Sequence, residues 1–554
     1  MRLIAALLLA AGCGLAQNAA TIRVDAAAPA GPLKPIWGFF GHDEPNYTYM
    51  KDGRKLLSEL SALSSVPVYV RVHSLLVTGD GVAALKWGST NAYTEDASGK
   101  PVYDWTITDR IFDTYMERKM KPLVQIGFMP QALSSHPEPY GHHWKPGDNY
   151  NDIYTGWAYP PKDYDKWAEL VYQWVRHCVQ KYGKAEVDSW LWEVWNEPNI
   201  GYWKGTPEEY HKLYDYSVDA VKRALPTART GGADSTGPAN RNAAEFLRKF
   251  LDHVVHGKNY VTGKTGSPLD FISFHAKGAP KFVEGNVVMG IENQLRDLDK
   301  GFEIIASVPE LKGRPIIIGE SDPEGCAACS SRVYPQNAYR NGVMYSSYTG
   351  AVMPRHLDLA AKHGVNLMGA VTWAFEFEDQ PYFDGFRDLA TNGIDKPVLS
   401  VFRMLGMMTG NRVAAESSAA ATLDSVLAGG VKDAPDIHAM ASVDGGTVTV
   451  LVSHYHDSGK AGAAAAIDLT VSGLGAGRRL VQHYRVDNEF SNAYERWKKM
   501  GSPQTPTAEQ YAELERAGQL QLLESPRWVM AEGGRIHVEF SLPRHGVSLV
   551  RFAR

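Results

Sequence analysis

Two glutamates follow predicted buried strands, and their type and placement are suited to acid–base and nucleophilic chemistry. Glu197 closes the run SWLWEVWN within the motif WNEPN, and Glu320 closes the run RPIIIGE. A single glutamate is most often an exposed or ion-paired loop residue. Two carboxyl groups that face each other across a bound sugar can cleave a glycosidic bond, one as general acid and the other as nucleophile. The pair therefore predicts glycosidic cleavage, with a carboxyl separation of about 5–5.5 Å for retention or about 6.5–9.5 Å for inversion.

Eight short apolar runs rich in β-branched residues alternate with longer amphipathic stretches between residues 33 and 408. This alternation is typical of βα units around a parallel sheet. Eight units favour a (β/α)8 TIM barrel over a doubly wound open sheet, because the count matches a closed barrel. The predicted strands are 36–41, 68–73, 122–128, 189–196, 228–234, 269–276, 314–320 and 367–375. Glu197 and Glu320 then end strands four and seven, at the face where such barrels hold their chemistry.

The chain changes character after residue 408, where small residues, turn signals and alternating strands replace the βα pattern. Alternation with a period of two is typical of a β-sandwich. The predicted strands are 447–455, 465–474, 478–487, 535–542 and 546–553. We expect an accessory C-terminal antiparallel β-sandwich made of residues 18–32 and 409–554, with a polar, partly helical insertion at 488–524.

The first 17 residues have the layout of a secretory signal peptide: Arg2, an apolar run and small residues before Gln17. We therefore expect export to the periplasm or the extracellular space. Simple cleavage after Ala16 is the preferred processing, and lipidation of Cys13, which would attach the protein to a membrane, is the alternative. No later run reaches the ~18 consecutive apolar residues that a spanning helix needs.

Charge and cysteine usage exclude several classes of protein. The net charge is −5, from 57 Lys+Arg and 62 Asp+Glu in 554 residues, and this offers no basic field for nucleic acid. The 4 cysteines are too few for a disulfide scaffold. Cys326 and Cys329 form a single C-x-x-C, either a local disulfide or half of a metal site. His142 and His143 lack an acidic partner at a defined spacing, so we expect no metal ion.

Several longer motifs narrow the expected class of enzyme. The motif WNEPN and the stretches FFGHDEPNYTY, IGFMPQAL and NEFSNAYERWKKMGSPQTPTAEQ resemble glycoside hydrolase family 39, the family of β-xylosidases and α-L-iduronidases. The resemblance covers nearly the whole chain after the signal segment. It implies that Glu197 is the acid/base, Glu320 the nucleophile and Asn196 a partner of the sugar 2-hydroxyl, without metal or organic cofactor. Because a general acid must begin protonated, we expect Glu320 and nearby tryptophans to raise the pKa of Glu197.

Other polar residues at the strand ends are candidates for holding the sugar. Trp373 is suited to an apolar platform under a pyranose ring, with core packing as the alternative. His275 is suited to orienting the nucleophile or a hydroxyl, and Arg71 to pairing with a strand-end glutamate inside the barrel. The predicted substrate-binding residues are Asn196, His42, Asp43, His73, His275, Trp373 and Glu376, with Glu44 and Glu378 beside them.

The segment after the predicted nucleophile, SDPEGCAACSS, departs from the family's usual pattern, and its Asp-Pro is more similar to the iduronidase-like members. Glu324 in this segment is a rival nucleophile, but a loop would fix its position less well than a strand end. A uronic acid substrate would need a cationic partner for its carboxylate. The candidates for that partner are Lys277, Arg332 and Arg387.

Together these features predict an exported retaining exo-glycosidase that acts on a carbohydrate, with a terminal β-xyloside as the first choice of substrate. The alternatives are an α-L-iduronidase-like or arabinosidase-like enzyme, and a non-catalytic sugar-binding protein that keeps the barrel as a scaffold. The 488–524 insertion also suggests a homo-oligomer in which it reaches the barrel mouth of a neighbour.

Overall fold

The computed structural model describes residues 19–64, 66–375 and 377–554. The predicted signal segment 1–17 with Cys13, and the predicted binding residue Glu376, lie outside the described residues. Within the described ranges, no helix combines the length and the apolar character that crossing a bilayer requires.

Eight parallel strands in the described part of the chain close into a barrel. Consecutive strands are neighbours, and the eighth pairs back onto the first through Val371 with Phe39 and Trp373 with Gly41. Each predicted strand overlaps an observed one, so the predicted TIM barrel is confirmed. The barrel strands are Phe39–His42, Tyr69–Val72, Lys121–Ile126, Leu191–Val194, Arg229–Ser235, Phe271–Lys277, Pro315–Asp322 and Asn366–Trp373.

The helices between the barrel strands have clear start and stop signals. The helix Tyr164–Tyr182 begins where the Asp163 side chain accepts hydrogen bonds from two backbone N–H groups, and it ends at Gly183, whose φ is 86°. The helix Pro207–Ala224 begins with a capping box at Thr206. Other α-helices are Lys51–Ser61, Thr106–Met116, Lys184–Val187, Arg241–His256, Ile291–Ala306, Val343–His363, Pro397–Gly406, Leu423–Gly429, Ala493–Lys499 and Ala508–Gly518.

A separate sheet of ten strands occupies most of the C-terminal part of the described chain. Its strands are Ala20–Pro32, Asn411–Ser417, Asp436–Asp444, Thr447–Tyr455, Ala465–Ser472, Gly477–Val486, Gln521–Leu522, Arg527–Ala531, Ile536–Leu542 and Val547–Ala553. Ala20–Pro32 pairs antiparallel with Asn411–Ser417 and parallel with Ala465–Ser472. Ala20–Pro32 is far in sequence from both of its partner strands, so no hairpin turn connects it to either of them.

The accessory sheet has its own apolar core. Alternate residues of its strands, among them Ile22, Val450, Leu469 and Phe552, are buried together in one cluster. Burying an aliphatic or aromatic side chain of this kind stabilises a fold by about 1.5–3 kcal/mol.

The polar insertion packs against its own barrel. The two helices Ala493–Lys499 and Ala508–Gly518 contribute Trp497 and Leu514 to a small apolar cluster with Phe383, from the loop after the eighth barrel strand. The insertion therefore packs against the loop that follows the eighth barrel strand.

Short two-stranded ribbons enlarge several loops of the barrel. They are Tyr93–Glu95 with Pro101–Tyr103, Lys281–Val283 with Asn286–Val288, and Ala390–Thr391 with Ile394–Asp395. Because active sites of such barrels are built from the loops after the strands, these ribbons belong to the elements that can shape the mouth.

Candidate active site

A cavity of about 580 Å³ opens at the carboxyl ends of the barrel strands. This volume is within the range of pockets that enclose small organic ligands. Residues from several different strands and loops line it, among them Asp43, Lys86, Glu197, Lys277, Glu320 and Trp373.

The two predicted catalytic glutamates lie in this cavity. Glu197 follows the fourth barrel strand, has a φ of 44° and is fixed by a hydrogen bond from its backbone N–H to the Asp234 carbonyl. Glu320 lies near the end of the seventh strand. Both are buried, and one carboxylate oxygen of each lies within 4.8 Å of the other. The barrel therefore brings the pair to a separation at which both can contact one sugar.

Two cationic side chains lie between these carboxylates. Lys277 Nζ is 3.1 Å from Glu197 Oε1 and 2.5 Å from Glu320 Oε2. His275 Nδ1 is 2.8 Å from the same Glu197 oxygen and 3.8 Å from Glu320 Oε2. Lys277 and His275 lie on the sixth barrel strand, which is the neighbour of the strand that carries Glu320.

These cations decide the protonation of both glutamates. Burial alone would raise the pKa of Glu197, but Lys277 and His275 outweigh it and lower that pKa to about 2. Burial likewise opposes the ionisation of Glu320, yet Lys277 and His275 hold its pKa well below its ordinary value. An ionised Glu320 is suited to act as a nucleophile.

The expectation that the pKa of Glu197 is raised is therefore wrong for the ligand-free site. The physical reason is Lys277, whose ammonium lies 3.1 Å from Glu197 Oε1. Together with His275, its attraction outweighs the burial and the like charge of Glu320, both of which would raise the pKa of Glu197. A general acid needs its proton at the start of the reaction. Moving or neutralising the charge of Lys277 would raise the pKa of Glu197 and so favour its protonated, acidic form.

The fully buried guanidinium of Arg71 contacts several residues of the site from inside the barrel. Arg71 on the second strand forms ion pairs with Glu193 and Asp234, and its Nη1 is 3.6 Å from Glu320 Oε1. This agrees with the predicted place of Arg71 inside the barrel. Arg71 Nη2 also donates to Asn196 Oδ1 at 3.0 Å, which fixes the orientation of that amide. Asn196 Nδ2 is buried without a partner among the described residues, so it is free to donate to a sugar hydroxyl.

Asp234 is a site residue that sequence reasoning missed. It lies in the fifth strand, and its carboxylate accepts a 2.9 Å hydrogen bond from His275 Nε2. Burial would lower the pKa of His275, but Asp234 and Glu320 outweigh it and raise that pKa to about 10. His275 is therefore an imidazolium near neutral pH. The available signal was a strand-end carboxylate in GGAD, the same signal that identified Glu197 and Glu320.

Several other predicted residues meet around Asp43, next to Glu320. Trp373 is 2% exposed, donates from Nε1 to Asp43 Oδ1 at 3.2 Å and faces the cavity. His73 Nε2 lies 3.5 Å from Asp43 and 3.6 Å from Glu320. Lys86, which sequence reasoning did not select, forms an ion pair with Asp43.

The remaining strand-end candidates contact protein instead of the cavity. His42 stacks on Phe375 with ring centroids 4.0 Å apart, and burial lowers its pKa to about 3. Glu378 accepts hydrogen bonds from the first backbone N–H groups of the helix Lys51–Ser61, and Glu44 accepts from the backbone N–H of Lys86. These contacts give each of the three side chains a structural role.

The three candidate cations for a uronic acid differ sharply in position. Lys277 lines the cavity, whereas Arg332 is exposed and lies 3.0 Å from Asp384. Arg387 is fully buried between Asp322 and Glu324. Only Lys277, among these three, is both close to the catalytic pair and open to a ligand.

The rival nucleophile Glu324 is already neutralised by protein. Arg340 and Arg387 both form ion pairs with its Oε1 atom. Cys326 and Cys329 form a disulfide in the same loop, and both line the cavity. The loop therefore serves as a wall of the pocket.

Glu197, His275 and Glu320 also present ligand atoms within 4.8 Å of one another, as a metal site would. Lys277 Nζ lies 3.1 Å from Glu197 and 2.5 Å from Glu320 and supplies positive charge beside these carboxylates.

Comparison with known proteins identifies the family. The family model described as glycosyl hydrolases family 39 matches residues 20–535. This chain belongs to glycosyl hydrolases family 39. The chain is 26% identical to a β-xylosidase of Geobacillus stearothermophilus, over 87% of this chain and 85% of the relative. It is 28% identical to an α-L-iduronidase of Mus musculus, over 98% of this chain and 82% of the relative.

Solved structures agree with the observed fold. The bacterial orthologue of human α-L-iduronidase has a TM-score of 0.76 at 20% identity, covering 97% of this chain and 84% of that chain. A monomeric β-xylosidase from Caulobacter crescentus CB15 has a TM-score of 0.73 at 22% identity, covering 96% of this chain and 99% of that chain. Membership of family 39 establishes the protein as a glycosidase and its substrate as a carbohydrate.

Proposed function

We propose that the protein is a retaining exo-glycosidase that removes a terminal sugar by double displacement. The observation that carries this proposal is the approach of the two carboxylates, with one oxygen of Glu197 within 4.8 Å of one oxygen of Glu320. Retaining enzymes hold the carboxyl groups about 5–5.5 Å apart, whereas inverting enzymes leave about 6.5–9.5 Å for a water molecule. The short approach favours retention.

The first displacement would use Glu320 as nucleophile. Its low pKa keeps it ionised, and it attacks the anomeric carbon while Glu197 gives a proton to the leaving oxygen. In the second displacement, Glu197 accepts a proton from water, which attacks the anomeric carbon and releases Glu320. The free Nδ2 donor of Asn196 would strengthen its bond to the sugar 2-hydroxyl in the charged transition state.

The sugar that the geometry favours carries a carboxylate, as a terminal α-L-iduronide does. The reason is Lys277, which keeps Glu197 ionised in the free enzyme. A substrate carboxylate that pairs with Lys277 would offset the positive charge that stabilises ionised Glu197. The pKa of Glu197 would then rise, because its burial opposes ionisation. Such a substrate would complete the general acid as it binds.

A terminal β-xyloside, the first choice from the sequence, remains the second candidate. The β-xylosidase of Geobacillus stearothermophilus matches this chain over most of both lengths. A xyloside has no carboxylate for Lys277, so this lysine would then have to contact a ring hydroxyl.

A panel of aryl glycosides tests both the reaction and the sugar. It contains the α-L-iduronide, β-xyloside, α-L-arabinoside, β-glucoside and β-galactoside, each incubated with the wild-type protein and with Glu320→Ala. Release of the aryl alcohol from one sugar, lost in the variant, supports the glycosidase and identifies the sugar. The anomer formed first, measured by NMR, must match that of the substrate. Inversion would refute the double displacement, and binding without hydrolysis would support the sugar-binding alternative.

We also propose that the protein is exported, on the basis of the signal-like residues 1–17. N-terminal sequencing of the protein made in its own cells tests this proposal. A mature chain that begins near Gln17 supports it, and a chain that retains Met1 would refute it.

A further inference from the structure

Lys86 is a buried cation at the wall of the active-site cavity, and nothing in the sequence pattern singles it out. It lies in the loop after the second barrel strand, and only 9% of the residue is exposed. Its φ is 60°, a left-handed conformation that costs a residue with a side chain about 1–3 kcal/mol. Its backbone N–H donates to Glu44 Oε1 at 2.5 Å, which holds the loop in this conformation.

The ammonium of Lys86 is aimed at the cavity. Lys86 Nζ forms an ion pair with Asp43 and lies 5.5 Å from the centre of the Tyr150 ring, and all three residues line the cavity. An ammonium has three N–H donors. In the described part of the chain, the contacts with Asp43 and Tyr150 leave at least one of these donors without a protein partner.

The carboxylate of Asp43 is also held in place by side-chain contacts. Trp373 Nε1 donates to Asp43 Oδ1 at 3.2 Å, and His73 Nε2 lies 3.5 Å from the same oxygen. The cavity wall thus carries a strong donor and a strong acceptor side by side. Two neighbouring hydroxyl groups of a sugar can bond such a pair at once, each giving or receiving one hydrogen bond.

The position of the pair in the barrel decides which part of the sugar it can reach. Glu197 and Glu320 follow the fourth and seventh strands, whereas Asp43 follows the first, between the second and eighth. With the anomeric carbon between the two glutamates, as the proposed function places it, Asp43 and Lys86 lie in the same cavity and are available to hydroxyl groups further round the ring. The neighbouring hydroxyl groups farthest from the anomeric carbon of a pyranose are those at C3 and C4.

Stability alone gives little reason for a buried pair of this kind. Removing two charges from water often costs as much free energy as their attraction returns, and apolar residues of similar size are frequently as stabilising. Lys86 combines backbone strain with a buried positive charge at a cavity wall, and this combination indicates a functional role.

We propose that Lys86 and Asp43 form a clamp for two neighbouring hydroxyl groups at C3 and C4 of the terminal sugar, so that the enzyme selects sugars in which both are free. This inference rests on the proposed function for the placement of the sugar. Lys86 is then a specificity-determining residue, and Asp43 positions it and shares the hydroxyl contacts.

The test combines substrate changes with enzyme changes. The variants are Lys86→Met and Asp43→Asn, and Lys145→Met on an exposed part of the loop 134–167 is the matched control. Each is assayed with the aryl glycoside that the wild type hydrolyses and with its 3-deoxy and 4-deoxy analogues. Circular dichroism melting establishes that each variant is folded, and Lys86→Arg provides a second folded variant that keeps the charge.

Loss of one hydrogen bond to a charged group should lower kcat/KM by about 10- to 100-fold. We expect the wild type and Lys145→Met to lose this factor when a deoxy analogue replaces the parent. Lys86→Met should lose it on the parent and lose little more on the analogue that lacks the clamped hydroxyl. Equal losses on the parent and on both analogues would overturn the clamp and leave Lys86 with a structural role.

Calorimetric binding of the free monosaccharides and their deoxy forms separates this inference from the proposed function. If the wild type hydrolyses nothing but still discriminates deoxy sugars through Lys86, the clamp stands and the proposed function fails. If it hydrolyses a glycoside without any such discrimination, the clamp fails and the proposed function stands. If it neither binds nor hydrolyses these sugars, both are overturned.

Discussion

The barrel mouth and the apolar cluster of the accessory sheet bury opposite kinds of side chain. The mouth encloses ionisable groups, with Arg71, Asp234 and His275 fully buried beneath the catalytic pair. The cluster in the sheet is aliphatic and aromatic, as Leu469 and Phe552 illustrate. Buried charges cost desolvation free energy and are kept where they serve chemistry, whereas buried apolar groups stabilise the fold directly. Substitutions in the mouth should therefore change the reaction, and substitutions in the sheet should change stability.

The largest effect is expected for Glu320→Ala. Removing the nucleophile should lower kcat on the order of 10⁴-fold or more for every substrate, whatever its leaving group. The measurement is turnover of an activated aryl glycoside, with the melting temperature as a control for folding. Retention of more than about a tenth of the activity would show that another group, with Glu324 as the first suspect, is the nucleophile.

Glu197→Ala should have a large effect that depends on the leaving group. Loss of a general acid typically costs about 10²–10⁴-fold. The loss should be greatest for a poor leaving group and smallest for a dinitrophenolate, which departs without a proton. Added azide should restore turnover by replacing water at the anomeric carbon. A loss that is the same for all leaving groups would contradict the acid/base role.

In the accessory sheet, Leu469→Ala should act on stability alone. Truncating a fully buried leucine costs about 2–5 kcal/mol. Urea unfolding measures this loss, and kcat/KM of the remaining folded protein should be unchanged. Thr470→Ala is the matched control, because this neighbour is only partly buried on the other face of the strand. A change in kcat/KM for Leu469→Ala would break the division between the two regions.

The smallest effect, and the most informative about the sugar, is expected for Lys277→Met. Without this positive charge the ionised form of Glu197 is less favourable, so the pKa of Glu197 rises and the acid keeps its proton to higher pH. The alkaline limb of the pH profile of kcat/KM should move upward by about one pH unit or more for a neutral sugar. For a uronide, KM should rise instead, because the carboxylate loses its partner. Unchanged profiles for both sugars would show that Lys277 influences neither step.

Much of the fold could be predicted from the sequence because the barrel strands are short apolar runs between amphipathic helices. The run RPIIIGE, for example, becomes the strand Pro315–Asp322 with Ile316 and Ile318 fully buried. The strands Asn411–Ser417 and Asp436–Asp444 were missed. Their alanines and charged residues weaken the alternation of apolar and polar positions, and only pairing with neighbouring strands makes them extended.

The active-site residues that could be predicted are polar or aromatic residues at the end of a predicted strand. Glu197 and Glu320 carry that signal, but the effect of Lys277 on the pKa of Glu197 depends on a contact between different strands. Lys86 has no recognisable sequence pattern, because its loop is distant from Asp43 in the sequence and contacts it only in the folded protein. Distances between strands decide charge balance, and sequence spacing does not contain them.

The strand Ala20–Pro32 imposes an order on folding during synthesis. The backbone of Thr21 is hydrogen-bonded to Ser418, 397 residues later in the chain, and Ala20 pairs with Ile467. At about 5–20 residues per second, a ribosome needs on the order of tens of seconds to make the intervening chain. During that time the strand has an open edge, which is a template for unwanted association. Its Arg23, Asp25 and Pro29 are residues that discourage such pairing. The barrel is continuous in sequence and can close first, so the sheet is completed last, around a strand that was made before everything it binds.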